Sequence, residues 1–151
     1  MSDETKTTAE EAIAAIEKKR GERKAKIAEA RAAQYAIDLA ALNDLEVEHG
    51  DGSIVALEVG GFIEGLPTLV VIKSPGGTSA YTRYKSDVRK AGKNAEMIGA
   101  AQEQLGRSVI VYPSEDETKR AMTKAFPGLD ISAGVRAVKF VELEAADEKK
   151  G

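Results

Sequence analysis

The residue types that could carry chemistry are few. The 151 residues include one histidine and no cysteine. Without thiols there is no cysteine nucleophile, no thiolate zinc site and no disulfide framework. A single imidazole, His49, excludes motifs built on two, the zincin pair among them. His49 with Glu48 and Asp51 is a weak donor set for a metal, because no second imidazole or thiol joins it. A turn or sheet position accounts for it. Carboxylates are plentiful, yet no pair is set apart for glycosidase-type acid–base work, and no Ser or Thr has a partner base. The expectation is a protein that is not an enzyme and needs neither metal nor cofactor.

Two stretches come nearer to a recognisable chemistry. Lys73 to Ser79, KSPGGTS, has the order of a phosphate cradle, in which a strand runs through Gly-rich backbone into a helix N-terminus. A Walker A loop puts its Lys directly before the Ser or Thr, whereas here Lys73 precedes the glycines. A strand-to-helix turn with an ordinary cap is the better account. The second stretch, residues 81–93, joins Arg83, Lys85, Arg89, Lys90 and Lys93 to Tyr81 and Tyr84. Cations with aromatics suit nucleic acid, through phosphate contacts and base stacking. A pI near 5.4 opposes a dedicated binder. Tyr81, Tyr84 and Val88 also share one helical face, which suits a core as readily as a stacking platform.

The elements that must position these residues follow from pattern. Residues 8–43 predict one long helix: Pro is absent, Gly21 is its only glycine, and Ala, Glu, Lys and Arg dominate. Thr8 with Glu11 forms a capping box at its start. Ile13, Ile16, Ile27 and Ile37 fall on one stripe, but Arg20, Arg23 and Gln34 share it, so a self-sufficient coiled coil is not expected over the first half. The more apolar second half should dock through Tyr35, Leu39 and Leu42, leaving residues 1–30 to project toward a partner. Next, Leu45, Val47 and His49 alternate with Glu46 and Glu48 before Gly50–Gly52, and a second alternating run covers residues 54–59. That predicts two strands around a Gly-rich hairpin turn. Thr68 to Lys73 predicts a third, buried strand.

Helices are expected after Thr78 or Ser79, stopping at Gly92; after Asn94, stopping at Gly106; and after Ser114, which with Glu117 makes another capping box. Residues 107–112 and 130–142 are open between strand and helix. The result is an α+β fold: a long N-terminal helix, and a small antiparallel sheet of about three strands packed with three to four C-terminal helices. Its expected parts are a helical arm (1–43), an α+β domain (44–145) and a disordered polar tail (146–151). Residues 32–66 hold seven acids and no Lys or Arg, whereas residues 67–110 hold seven bases and three acids. Complementarity within the chain is one account of that split. The polar, acidic N-terminus does not read as a secretory signal, and no apolar run is long enough for a membrane span. A soluble intracellular protein is expected.

Three elements carry a resemblance over residues 44–142. TRYKSDVRK enters a helix with Arg and Tyr; VIVYPSEDE is an aliphatic run ending in Tyr-Pro and an acidic helix; Phe126-Pro127-Gly128 is an aromatic-Pro-Gly turn. In this order the chain resembles the tail assembly chaperones of long-tailed bacteriophages, encoded beside the tape measure protein. The long N-terminal helix has no counterpart in that pattern. The resemblance implies a non-catalytic protein in the host cytoplasm. Such proteins bind the helical tape measure protein, keep it soluble, recruit tail tube subunits and are not retained in the virion. Ile13, Ile16, Ile27, Tyr35 and Leu39 are then the expected partner-binding positions, and self-association through residues 8–43 stays open. The alternatives are a structural tail or virion component, or a nucleic-acid accessory protein using residues 81–93.

Overall fold

A computed structural model describes residues 2–150, with side chains placed from 8 to 142. The architecture is α+β, a three-stranded antiparallel sheet between one long helix and four shorter ones. Strands β1 (Ile54–Glu58), β2 (Leu69–Lys73) and β3 (Ile110–Tyr112) lie in the order β1-β2-β3. β2 is central, and Leu69, Val70, Val71 and Ile72 are all buried. That explains its unbroken apolar run: a strand covered on both faces has no face to leave polar.

The two sheet faces hold separate cores. Val70 and Ile72 join Val59, Leu105, Val109, Ile110, Met122, Leu129, Ala133 and Ala137 on one side. Ile54, Leu69 and Val71 pack on the other, where Leu42 and Leu45 of the long helix cover them with Val111 and Tyr112. β3 contributes Ile110 to the first core and Val111 and Tyr112 to the second, and the register shift between the Val71–Tyr112 and Ile72–Ile110 pairs is what puts Tyr112 on the same face as Val111.

The long helix, α1 (Ser2–His49), overturns two expectations. It begins before Thr8, so the Thr8–Glu11 box does not start it. It also runs past position 43 through residues 45–49, which were expected to be a strand. Asp38, Leu42, Leu45 and His49 are spaced by 4, 3 and 4 residues, a helical face turned to the sheet, while Val47 is 81% exposed. Gly50 then ends the helix at φ 89°, its N–H reaching Glu46 O at 2.8 Å, and one 3-10 turn (Asp51–Ser53) leads into β1. The hairpin is instead β1 with β2, paired from Ile54–Lys73 to Glu58–Leu69 and joined by residues 59–68.

The remaining helices are α2 (Ser79–Ala91), α3 (Ala95–Val109), α4 (Asp116–Ala125) and α5 (Leu129–Lys150). Thr78 caps α2, accepting from Tyr81 N at 3.2 Å, and Asn94 caps α3, accepting from Met97 N at 3.1 Å. Gly92 ends α2 at φ 59°. Ser114 does not cap α4: the cap position is Glu115, whose side chain makes no capping bond. Residues 107–109 complete α3, residues 110–112 form β3, and 130–142 are helical. α5 also takes in residues 146–150 of the expected tail.

Gly106 does not stop α3. It faces α5 so closely that a Cβ there would lie 1.7 Å from Asp130 O, and one on Gly134 would lie 1.9 Å from Gln102 O. The two glycines let the helix backbones touch, with Ala101, Ala133 and Ala137 buried nearby.

Candidate functional site

Asp38 fixes α1 to the sheet. It is fully buried, and four donors converge on its carboxylate. Thr68 N–H donates to Oδ2 at 2.7 Å, and the Thr68 hydroxyl donates to the same oxygen. The Tyr112 hydroxyl and the Gln34 amide donate to Oδ1, the amide at 2.9 Å. Taking a carboxylate out of water is tolerated only when its lone pairs are satisfied, as they are here. Burial first, then the hydrogen bond to Asp38 and its charge, push the Tyr112 hydroxyl well above its ordinary value. The tyrosine therefore stays a donor, and the arm is tied to residues 30 and 74 positions away.

Toward its N-terminus α1 loses the cover of the domain. Every residue from 8 to 29 is exposed. Ile13, Ile16 and Ile27 are 56%, 50% and 54% exposed, and none belongs to either core. Tyr35 and Leu39, expected to dock, remain 39% and 41% exposed. The docking side chains are Asp38, Leu42 and Leu45. Tyr35 instead lines a groove of about 380 Å³ with Ala28, Arg31, Ala32, Glu58 and Thr68. The five expected partner-binding residues thus lie along one helix, and the domain covers none of them fully. Asp38 escaped the sequence reading. Its only signal was a polar residue on the stripe that continues through Leu42 and Leu45.

On α2, Arg83, Lys85, Arg89, Lys90 and Lys93 (just beyond its end) are exposed. Their aromatic companions are not free to stack on bases. Tyr81 and Tyr84 are stacked on each other at 6.1 Å between ring centroids and pack against the core. Lys85 Nζ sits 5.0 Å from the Tyr81 ring centroid, and Arg83 faces Asp87 at 3.8 Å. The shared tyrosine face belongs to the interior.

A cleft of about 460 Å³ lies beside α4, with Val70, Ile110, Met122 and Leu129 in its wall. Its buried carboxylate, Asp130, is bound by Arg107 Nε at 3.1 Å and approached by the Thr123 hydroxyl. That carboxylate is committed to joining α3, α4 and α5. At the KSPGGTS turn, the Thr78 hydroxyl donates to Pro75 O at 2.6 Å and caps α2 itself. His49 closes α1, 3.8 Å from Glu48. Among the described residues no cluster of three or more His, Cys, Asp or Glu is placed to hold a metal, and no helix is long and apolar enough to cross a membrane. No protein-family model, curated protein or solved structure matches the chain.

Proposed function

We propose that this protein is a non-catalytic tail assembly chaperone of a long-tailed bacteriophage. In this reading it works in the host cytoplasm, binds the helical tape measure protein and assists assembly of the tail tube around it. The observation that carries the reading is the exposed length of α1, with Ile13, Ile16 and Ile27 uncovered on a helix anchored by a buried carboxylate. The order of TRYKSDVRK, VIVYPSEDE and Phe126-Pro127-Gly128 supports it.

The physics of such a role is simple. A long helical client exposes apolar stripes that aggregate in water. A helix with exposed aliphatic side chains, laid along a stripe, covers it without requiring a fixed pocket. Each half-exposed isoleucine contributes on the order of 1 kcal/mol when buried, so a few of them give a reversible grip. Reversibility suits a protein that must leave when the tube subunits arrive.

The test is co-expression with the tape measure protein encoded beside it. The two should co-purify, and the tape measure protein should gain solubility. Changing Ile13, Ile16 and Ile27 together to Asp should abolish both effects. Loss of neither effect, or no association with the unaltered chain, removes the reading. Mass spectrometry of purified virions separates a chaperone, which should be missing, from a structural tail component, which should be present.

A further inference from the structure

The exposed part of α1 restricts what can lie on it. Residues 18–26 contain six cations, Lys18, Lys19, Arg20, Arg23, Lys24 and Lys26, against one carboxylate, Glu22. All nine residues are exposed. Among the described residues the ion pairs are His49–Glu48, Arg83–Asp87, Arg107–Glu103 and Arg107–Asp130, and none of them involves these six cations. Positions 13, 16, 20, 23 and 27 step by 3 and 4 along one face, which places Arg20 and Arg23 between isoleucines.

We infer, building on the client-binding reading above, that the occupant of this face is an acidic amphipathic helix. Its aliphatic residues meet Ile13, Ile16 and Ile27, and its Glu or Asp residues meet Arg20, Arg23 and Lys24. The two parts of the face demand different things, and one ligand chemistry satisfies both. The isoleucines need apolar cover. The cations between them need anions, because like charges brought together in a desolvated seam are destabilising.

A second copy of α1 meets the first demand and fails the second. Paired parallel and in register, Arg20 faces Arg20 and Arg23 faces Arg23. Paired antiparallel with Ile16 against Ile27, Arg20 faces Arg23 in both central layers. Either arrangement gathers four guanidinium groups in one seam. Nucleic acid meets the second demand and fails the first. A phosphate backbone leaves the isoleucines wet, and residues 8–34 offer no aromatic ring for a base to stack on.

The experiment uses the full chain and three fluorescein-labelled probes. Two are peptides of about four heptads with Leu at the a and d positions, one with Glu and one with Lys elsewhere. The third is an oligo-dT strand. Fluorescence anisotropy should show the acidic peptide bound about tenfold or more tightly than its basic twin at low salt, the gap narrowing as salt rises. The triple variant R20E/R23E/K24E should invert the preference. Misfolding cannot mimic that inversion, because it is a gain of binding to the basic peptide.

Equal affinity for the two peptides overturns the inference, as does a triple variant that keeps the original preference. Binding of oligo-dT alone reassigns the face to nucleic acid. A dimer seen by light scattering, with neither peptide bound, reassigns it to a second copy. The client-binding reading fails separately. If the tape measure protein co-purifies undiminished with the triple variant, the client stands and its acidity falls. If the acidic preference holds while that protein never co-purifies, the face takes an acidic helix from another source.

Discussion

Four donors meeting at Asp38 make this residue more consequential than any other single side chain on α1. Replacing it with Ala would leave the Thr68 N–H, the Thr68 hydroxyl and the Tyr112 hydroxyl without their acceptor, at a cost of about 3 kcal/mol. Urea denaturation should register that loss as a lower midpoint. Tyr112→Phe removes one donor and should cost about 1 kcal/mol at neutral pH. The tyrosine also ties stability to alkali. The folded state raises its pKa above the ordinary 10.0, so the folded chain keeps this proton after the unfolded chain has lost it. The linked stability is complete below about pH 10 and declines as the pH rises past that value. Tyr84, raised chiefly by burial, acts in the same direction. Tyr112→Phe should therefore flatten, without abolishing, the fall in urea midpoint above pH 10, and an unchanged slope would refute the account. Asp38 was illegible in the sequence because the partners that tie it to the sheet, Thr68 and Tyr112, are 30 and 74 positions distant. A hydrogen bond of that range leaves no local pattern.

Elements were legible where a local rule had no rival. Asn94 caps the helix it was expected to cap, Thr78 is the one of the two candidates, Thr78 and Ser79, that caps α2, and the apolar run of β2 identified a buried strand. Rival rules account for the misreadings. Leu45, Val47 and His49 alternate as a strand would, but Leu42 and Leu45 also fit a helix, and burial against Ile54, Leu69 and Val71 decides for the helix. Gly106 carried the signal of a helix stop, whereas its lack of a Cβ admits α5 instead. The contrast with Gly99 on the same helix is a direct test. Gly106→Ala drives a methyl into Asp130 O and should destabilise by about 2 kcal/mol or more, because backbone must move. A Cβ on Gly99 meets nothing within 4 Å. Gly99→Ala should therefore stabilise by about 0.5–1 kcal/mol through helix propensity. Thermal melts of the two variants should move in opposite directions.

At the scale of the molecule, the three layers of α1, sheet and helices divide the labour. The sheet and α2 to α5 supply one core, and the far end of α1 closes the second. Residues 8–27 contribute to neither. Deleting residues 1–27 should change the unfolding free energy of the remainder, measured in urea, by no more than about 0.5 kcal/mol, since residues 8–27 are all exposed. The same deletion should abolish co-purification with the tape measure protein. The α+β class was legible because composition and periodicity are summed over many residues. The direction of the arm was not, because a buried carboxylate with distant partners sets it together with Leu42 and Leu45. That carboxylate also gives the arm a mechanical character. Thr8 lies about 45 Å along the helix axis from Asp38, so α1 is a lever with its fulcrum at the sheet. A tilt of about five degrees at the fulcrum sweeps the tip through about 4 Å over that length. Small adjustments around Thr68 and Tyr112 thus become large displacements where a client would be caught. A pliable client could be followed through such a swing by a tilt of the whole helix.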